Sequence, residues 1–293
     1  MDKRKLRPIA IFNGLAAAKC FNWIPDDTYL KIQYRLAMHK RLNLDNPTTY
    51  NEKIQWLKLH DRNPDYTMMV DKYAVRDYIA KTLGAEYSIP LVGGPWKSFD
   101  EIDFDALPEQ FVLKCNHDSG GLVICKDKTK LDKEYARKKI RKSMKRNFYW
   151  ANREWPYKDV QPCIIAEKYM VDDSGYELKD YKFFCFDGEP KVMFIATDRG
   201  VATKFDFFDM DFQHLPFTNG HPCADIAPSK PKCFEEMKKL AALLSSGIKH
   251  VRVDFYEING RVYFGELTFS HWSGMIPFEP EEWDYKLGEM IKL

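Results

Sequence analysis

Two carboxylates near the end of the chain have the residue type and setting of a divalent-cation site. Asp254 lies in the strand-like run 252–255, and Glu266 lies in the apolar run 264–267. Asn259-Gly260 between the two runs is typical of a β-hairpin turn. Two carboxylates on adjacent apolar strands repel each other unless a cation lies between them. Oxygen ligands of this kind favour Mg²⁺, which proteins hold with one or two carboxylates plus phosphate oxygens.

The pairing register of this hairpin decides whether the two carboxylates share one face. A strict two-residue turn at Asn259-Gly260 would put Asp254 and Glu266 on opposite faces. A three-residue loop with Gly260 in the left-handed conformation and a bulge would put them on the same face, and we predict this arrangement. The alternative is a buried ion pair between Arg252 and Glu266, with Asp254 exposed.

Three further groups of residues could bind a nucleotide. Lys114 ends a strand just before a glycine-containing turn, whose backbone N–H groups can surround phosphates. Residues 167–170 end an apolar strand and can offer backbone groups to an adenine edge. Asp180 and Lys182 share a strand face, and Arg199 lies just past the paired strand, where cations can gather phosphate or carboxylate groups. In isolation each group has a plainer interpretation: a turn, a strand end and a surface salt-bridge ladder.

The elements that must position these residues indicate an α+β fold. Helical periodicity dominates the first third of the chain, and paired strands dominate from residue 111 onward. The chain lacks steady β-α-β alternation, G-x-G-x-x-G after a strand and a P-loop, which disfavours doubly wound nucleotide-binding folds. The predicted elements are helices at about 26–60 (broken at Asn46-Pro47), 67–83, 132–147 and 234–246, and strand pairs at 111–126, 177–197 and 251–268.

Composition places the chain among globular proteins. It has 293 residues, 45% of them hydrophobic, and a net charge of +2, so we expect no nucleic-acid partner. Seven scattered cysteines without a C-x-x-C pair are typical of reduced thiols. No apolar run reaches the ~18 to 20 residues of a membrane span. The basic run 3–7 before the apolar stretch 8–24 is compatible with a plain first helix, a membrane-surface anchor or a signal peptide.

Two other features are ambiguous. The basic helix at 132–147 fits a solvated surface, an anionic glycan, a lipid-linked pyrophosphate or a membrane surface. His214, His221, Cys223 and Cys233 lie in one irregular region, but their spacing matches no standard zinc pattern.

The order of the polar groups along the chain resembles that of ATP-grasp enzymes. Residues 252–255 are similar to the corresponding segment of D-alanine–D-alanine ligases, and residues 167–169 are similar to the adenine hinge of biotin carboxylases. From about residue 25 onward the chain resembles, more closely, the TupA-like ATP-grasp proteins of bacterial surface-polysaccharide loci. The stretches that carry this resemblance are 50–58, 70–76, 111–121, 154–158 and 264–269.

The resemblance implies an ATP-grasp fold in which two β-rich lobes clasp ATP after a short helical N-terminal region. We expect a helical region at 1–66, a linker helix and strand at 67–110, a lid subdomain at 111–170 and a central and C-terminal subdomain at 171–293. ATP and Mg²⁺ are the implied cofactors. Thr268 departs from the pattern, since most ATP-grasp enzymes have Asn at this position.

The resemblance also implies a role for each site residue. Arg252, Lys182 and Arg199 would be catalytic through charge stabilisation. Asp254, Glu266 and Thr268 would hold the metal. The nucleotide would be bound by Lys114, Asn116, His117, Ser119, Gly120, Gly121, Glu167, Lys168, Tyr169, Met170 and Asp180.

The implied activity is that of an ATP-dependent carboxylate–amine ligase acting on a surface-polysaccharide precursor, for instance joining an amino acid to a uronic acid. The expected partners are small-molecule or glycan carboxylates and amines, or a lipid-linked precursor at the inner membrane face, and the expected location is cytoplasmic. Two alternatives stay open. One is a glycosyltransferase or glycan-binding protein, for which Asp209-Met210-Asp211 offers a D-x-D match. The other is a basic module that docks on a membrane or polyanion.

Overall fold

A computed structural model describes residues 8–118, 120–172, 175, 178–198 and 202–293. Helices and antiparallel sheets are segregated along the chain, which confirms the predicted α+β class. No helix among these residues combines the length and apolar character needed to cross a bilayer. The helices are α1 (Pro8–Ala17), α2 (Asp26–Met38), α3 (Tyr50–His60), α4 (Asp65–Val70), α5 (Val75–Thr82), α6 (Lys133–Met144), α7 (Tyr149–Asn152), α8 (Phe234–Ser245) and α9 (Glu282–Met290). The strands are β1 (Leu91–Trp96), β2 (Phe111–Cys115), β3 (Leu122–Cys125), β4 (Ile164–Lys168), β5 (Asp180–Phe186), β6 (Glu189–Thr197), β7 (Lys204–Asp209), β8 (Thr218–Asn219), β9 (His250–Ile258), β10 (Arg261–Thr268) and β11 (Phe278–Glu279).

A capping box starts α3, just after the predicted break at Asn46-Pro47. The Thr49 hydroxyl accepts a hydrogen bond from Glu52 N at 3.2 Å, and the Glu52 carboxylate accepts one from Thr49 N at 3.3 Å. Two of the free N–H groups at the helix start are thereby satisfied. Thr49 is thus the N-cap of the helix that follows the break.

The predicted helix at 67–83 is in fact two helices, α4 and α5, with a break between them. The cause is the Asp71 carboxylate, which accepts hydrogen bonds from Tyr73 N at 2.8 Å and Ala74 N at 3.1 Å. These bonds favour a turn over a continuous helix. The break places Lys72 between the two sheets of the molecule.

A four-stranded antiparallel sheet in the order β1-β4-β2-β3 forms the first lobe. One face carries Phe111, Leu113 and Ala166 into a core that includes Ile140 of α6. Lys114 and Glu167 alternate onto the other face. β1 comes from the segment expected to be a linker, and it pairs with β4 as an edge strand of this sheet. The proposed domain boundaries stay predictions.

A five-stranded antiparallel sheet in the order β10-β9-β5-β6-β7 forms the second lobe. Helix α8 packs on one face through a core that includes Phe183 and Leu244. The opposite face carries Phe184 and Phe194 against a core with Ile54 of α3 and Leu287 of α9. Since side chains alternate along a strand, Lys182 and Arg252 lie on this second face, at its open end.

The close packing of α9 against the start of α3 depends on Gly288. A Cβ atom at this position would lie 2.3 Å from Thr48 O and 2.7 Å from Tyr50 N. We predict that Gly288→Ala lowers the free energy of unfolding by about 1–3 kcal/mol, because one helix must shift to relieve the overlap. Urea denaturation would measure the loss.

Gly14→Ala is the matched control, because no atom lies within 4 Å of the added Cβ in α1. This control should leave stability unchanged or raise it by about 0.5–1 kcal/mol through helix propensity. Equal stability of Gly288→Ala and the wild type would contradict the packing described.

Candidate functional site

The last hairpin brings Asp254 and Glu266 together on one face, by a route that differs from the prediction. Ile258 pairs with Arg261, so Asn259-Gly260 is a two-residue turn, with φ of 53° and 68°. The predicted three-residue loop is therefore wrong, because both turn residues adopt the left-handed conformation that a tight hairpin requires.

A bulge at Gly265, further along β10, shifts the register so that Asp254 and Glu266 lie on the same face of the sheet. Phe264 pairs with Phe255 and Glu266 pairs with Asp254, which leaves Gly265 as the extra residue. A Cβ at Gly265 would lie 3.0 Å from the backbone oxygen of Asp254, so glycine permits this close approach. The prediction that the two carboxylates lie on one face is confirmed.

Arg252 links both carboxylates. Its guanidinium donates to both oxygens of Asp254 at 2.7 Å each and to Oε1 of Glu266 at 3.0 Å. Asp254 is only 1% exposed, so the alternative with an exposed Asp254 is wrong. Lys182 donates to the same Asp254 carboxylate and lies 3.2 Å from Asp180 Oδ1. A planar guanidinium suits such multiple contacts better than an ammonium does.

Opposite charges set the ionisation of this cluster. Burial raises the pKa of Glu266, but the positive charges of Lys72, Lys182 and Arg252 outweigh it and bring that pKa to about 2. Burial lowers the pKa of Arg252, but Asp254 and Glu266 raise it above its usual range. Glu266 and Arg252 are therefore both charged at neutral pH.

His271 is a neutral ring that accepts a hydrogen bond from Arg252. Its Nδ1 lies 2.7 Å from Arg252 Nη1, and its Nε2 lies 2.9 Å from Asn219 Oδ1. Because Arg252 can only donate, Nδ1 must accept, and the proton lies on Nε2. Burial, followed by the charges of Arg252 and Lys182, holds the pKa of His271 well below its usual range.

Thr268 also contacts the cluster. Its hydroxyl accepts from Arg252 Nη2 at 3.0 Å and donates to Glu266 Oε1 at 3.1 Å. The predicted metal residues Asp254, Glu266 and Thr268 are therefore contiguous. Their role as metal ligands stays a prediction.

Lys114 and Glu167 form a second charged group on the first lobe. Lys114 donates to the Glu167 carboxylate, and Arg76 lies 3.7 Å from it. The gap between these residues and Phe264-Gly265 of the second lobe has a volume of about 20 Å³. A nucleotide needs far more room, since ligand pockets typically measure about 300–1,000 Å³. The cleft expected between the lobes is closed here.

The glycine-containing turn holds an internal carboxylate. Asp118 Oδ1 accepts from Gly121 N at 2.8 Å and from Gly120 N at 3.3 Å. Lys72 adds a hydrogen bond to Asp118 O at 2.7 Å. The backbone donors that we assigned to phosphate are thus occupied by Asp118, and Ser119 lies outside the described residues.

Asn116 and His117 anchor this turn to the lobe. The Asn116 amide group donates to Gln161 O at 3.0 Å and accepts from Cys163 N at 2.8 Å. His117 Nε2 lies 3.2 Å from Ser143 O. Both side chains are buried and satisfied by protein atoms, so nucleotide contacts from them stay predictions.

The structure does not bring the remaining predicted nucleotide residues to the cluster. Lys168 alternates with Glu167 and points to the other face of β4, where it lines an open surface depression with Gln110 and Tyr169. Met170 follows at the end of the strand and is half-buried. Contacts of 168–170 with nucleotide would have to use backbone groups. Arg199 lies outside the described residues.

Lys72 is the main site residue that sequence reasoning missed. Its ammonium lies 4.0 Å from Glu266 Oε2 and contacts the glycine turn, so it joins the two lobes. Lys72 lies in the stretch 70–76 that carries part of the family resemblance, but the predicted helix at 67–83 gave it no role in the site.

The residues present fit a magnesium ion. Carboxylate oxygens of Asp254 and Glu266 lie side by side, and Lys182 and Arg252 now neutralise them as a divalent cation would. The Glu266 side chain is 35% exposed and open to a ligand. Arg252 and Lys182 occupy the Asp254 carboxylate in this structure.

A cavity of about 440 Å³ borders the cluster on the side of the N-terminal helices. Arg252, Glu266 and Thr268 form its floor. Its polar and charged walls are Asn13, Gln33, Lys72, Asn152, Glu154 and Ser273, and its aromatic walls are Phe148, Tyr157 and Trp272. The cavity is large enough for a small substrate.

Asp206, His214 and Cys223 also come together, with ligand atoms within 4.8 Å of one another. Asp206 accepts from His214 Nε2 at 3.1 Å and from Ala224 N at 3.2 Å. Protein hydrogen bonds therefore already satisfy this buried carboxylate. His221 and Cys233 do not join the group.

Two β-rich lobes, a lysine and a glycine turn on one, and a carboxylate pair with an arginine on the other, define the ATP-grasp class. A family model described as TupA-like ATPgrasp matches residues 52–292, and the chain belongs to this family. The predicted family and the predicted ATP-grasp fold are confirmed. A comparison with curated proteins finds no match.

Solved structures of low identity are also similar. A D-alanine–D-alanine ligase from Bacillus anthracis, complexed with ATP, is 16% identical over 69% of this chain and 54% of that chain, with a TM-score of 0.40. The enzyme of the same name from Helicobacter pylori is 16% identical over 83% of this chain and 69% of that chain, with a TM-score of 0.42. The ATP-grasp ligase PsnB, complexed with Mg and ADP, is 11% identical over 88% of this chain and 66% of that chain, with a TM-score of 0.42. The chain thus spans about half the length of the Bacillus anthracis ligase.

The lowered pKa of Glu266 predicts a pH-dependent contribution to stability. A carboxylate whose pKa falls on folding stabilises the protein above its unfolded value, 4.5, and loses this effect as pH falls towards about 2. Glu266→Gln should therefore be less stable than the wild type at neutral pH, and the difference should shrink from about pH 4.5 downward. Urea denaturation across this range would measure it. A difference independent of pH would contradict the charge contacts described.

Proposed function

We propose that this chain uses Mg-ATP to activate a carboxylate as an acyl phosphate and joins it to an amine. The observation that carries the proposal is the shared face of Asp254 and Glu266, bound by Arg252 beside a substrate-sized cavity. Family membership supports the same reaction class.

Each charged residue would have a defined task. Asp254 and Glu266 would hold Mg²⁺, which when bound neutralises phosphate charge and positions the phosphates. Arg252 would stabilise the negative charge that develops as the phosphoryl group is transferred, because its guanidinium already lies at the cavity floor. Lys182 would leave Asp254 and turn to phosphate oxygens. Lys114 and Lys72 would bind phosphates from the opposite lobe.

Nucleotide binding would require the lobes to separate. The gap of about 20 Å³ at Lys114 and Glu167 holds no nucleotide, and Asp118 occupies the N–H groups of the glycine turn. In this proposal, phosphates replace the Asp118 carboxylate on these donors as the turn lifts. Residues 167–170 would then border the adenine.

The cavity supports a sugar acid as the carboxylate substrate. Trp272 and Phe148 offer aromatic faces, and Asn13, Gln33 and Asn152 offer amide groups for hydroxyls. A uronic acid of a surface-polysaccharide precursor has a ring face for the aromatic residues, hydroxyls for the amide groups and a carboxylate for Arg252. The glycosyltransferase alternative gains no support from Asp209, whose carboxylate caps the turn at the end of β7 by accepting from Asp211 N at 3.0 Å and Gln213 N at 2.8 Å.

We also propose that α1 lies on an anionic membrane surface, where a lipid-linked precursor would be within reach. Ile11 and Leu15 of α1 are 49% and 43% exposed, and Trp23 is 80% exposed. The sequence just before α1 contains Lys3, Arg4, Lys5 and Arg7. Exposed apolar and aromatic residues beside basic ones are typical of interfacial helices. Ile9 and Asn13, on the other side of α1, line the cavity.

Removing either metal-site carboxylate should abolish the reaction. We predict that Asp254→Asn and Glu266→Gln each lower amine-dependent ADP release by about 100-fold or more, because phosphate charge is no longer neutralised. The assay would use Mg-ATP with D-glucuronic or D-galacturonic acid and a panel of amino acids. Glu134→Gln, at an exposed position of α6, is the matched control and should match the wild type. Unchanged release in either site variant would refute the mechanism.

Membrane docking has an independent test. We predict that the protein sediments with vesicles containing phosphatidylglycerol and that Leu15→Ser with Trp23→Ser weakens this binding at least about tenfold, because two apolar anchors are lost. Ile226→Ser with Leu243→Ser is the control, since these residues are 86% and 54% exposed elsewhere. Equal loss in both pairs, or no sedimentation of the wild type, would rule out docking through α1.

A further inference from the structure

Glu154 is a buried carboxylate that faces the cavity without a cationic partner. It is 5% exposed and lines the same cavity as Arg252 and Glu266. Within the described part of the chain, no Lys, Arg or His nitrogen lies within 4.0 Å of its carboxylate. Burying a carboxylate without a cation in contact is costly, and a proton or a cationic ligand would lower that cost.

Lys58 is a buried cation whose charge acts on Glu154, but its hydrogen bonds go to other acceptors. Its ammonium donates to Gln55 Oε1 at 2.9 Å, Ser273 O at 2.7 Å and Ser273 Oγ at 2.7 Å. An ammonium has three N–H donors, and these three acceptors use them all. Burial, only partly offset by Glu154, lowers the pKa of Lys58 to about 8.

The N-terminal helices fix Glu154 in place. Gln33 of α2 donates to Ala151 O at 3.1 Å and to Asn152 Oδ1 at 3.0 Å, and Tyr29 donates to Ala151 O at 2.8 Å. Arg153 is buried and donates to Phe21 O at 2.9 Å. The segment just before Glu154 is therefore held rigidly, and the carboxylate is aimed into the cavity by the fold.

Side chains of both charges line the cavity. Arg252 and Lys72 are the cations among them, and a carboxylate or acyl phosphate would bind beside them. Tyr157 lines the same cavity, and burial, followed by the charges of Glu154 and Glu266, raises the pKa of its hydroxyl well above the usual value. Burial raises the pKa of Glu154 despite the opposing effect of Lys58, which makes it a better proton acceptor than a solvated carboxylate.

We propose that Glu154 binds the ammonium group of the amine substrate and accepts a proton from it, an inference that rests on the proposed function. One ammonium proton passes to the Glu154 carboxylate, and the freed nitrogen lone pair forms a C–N bond with the acyl carbon. The C–O bond to phosphate breaks, and phosphate leaves with the bonding electrons and takes up the second nitrogen proton.

Ammonium binding can be tested without turnover. Glycinamide, ethanolamine and L-lysine carry an ammonium, whereas N-acetylglycinamide does not. At saturating concentration at least one ammonium probe should raise the midpoint of thermal unfolding of the wild type by about 2 °C or more. Glu154→Gln should lose this shift, and Glu154→Asp, which keeps the charge, should retain part of it. A wild type that responds to no ammonium probe, or a Glu154→Gln variant that responds fully, would overturn the proposal.

Turnover separates this inference from the proposed function. Hydroxylamine is a neutral nucleophile at neutral pH and needs no base, so it should trap the acyl phosphate equally in the wild type and Glu154→Gln. With an amino acid, Glu154→Gln should be about 100-fold slower, and the deficit should narrow at high pH, where the free amine is present. Loss of both reactions in a variant still stabilised by Mg-ATP would assign Glu154 to carboxylate activation and overturn its role toward the amine. Absence of hydroxamate in the wild type would instead refute the proposed function. The shifts in unfolding midpoint caused by the ammonium probes would still test whether Glu154 binds an ammonium group.

Discussion

The site depends on one buried guanidinium that holds two carboxylates together. Without Arg252, Asp254 and Glu266 would face each other across two paired strands in a largely apolar setting, which is unfavourable for both. Three cations (Lys72, Lys182 and Arg252) balance three carboxylates (Asp180, Asp254 and Glu266) around this point. The cluster is thus neutral before any ligand arrives.

The same charge balance could be kept in two states of the protein, one without ligand and one with magnesium and nucleotide bound. Magnesium would replace Lys182 as the counter-ion of Asp254, and the released ammonium would then be available for phosphate. Asp118 has a matching role on the other lobe, where it occupies the N–H groups of Gly120 and Gly121. Each group proposed to bind phosphate is therefore satisfied by an internal partner in this structure, which avoids buried unpaired groups.

Much of the site was predictable from residue types and their order, because short sequence patterns determine the individual turns, strands and helix caps. The hairpin turn at Asn259-Gly260, the strand with Lys114 and the cap at Thr49 are examples. The bulge was assigned to the wrong glycine, since alternation of apolar residues shows that a register shift is needed but not where it occurs.

Other features depend on tertiary contacts that no local pattern contains. Lys72 reaches both lobes only because the Asp71 carboxylate interrupts a helical pattern. Glu154 becomes a cavity residue only because Gln33 and Tyr29, more than a hundred positions away, fix its loop. Helices α1 and α2 precede the segment matched by the family model and still form a wall of the cavity, so this wall is where we expect substrate preference to be set.

The convergence of Asp254 and Glu266 on a metal that also binds nucleotide phosphates can be observed directly. Crystals grown with Mn²⁺ and a non-hydrolysable ATP analogue would locate the metal by anomalous scattering. We expect a peak bound by both carboxylates and by phosphate oxygens, with Lys182 displaced from Asp254. A peak elsewhere, or nucleotide bound while Lys182 still contacts Asp254, would contradict this mechanism.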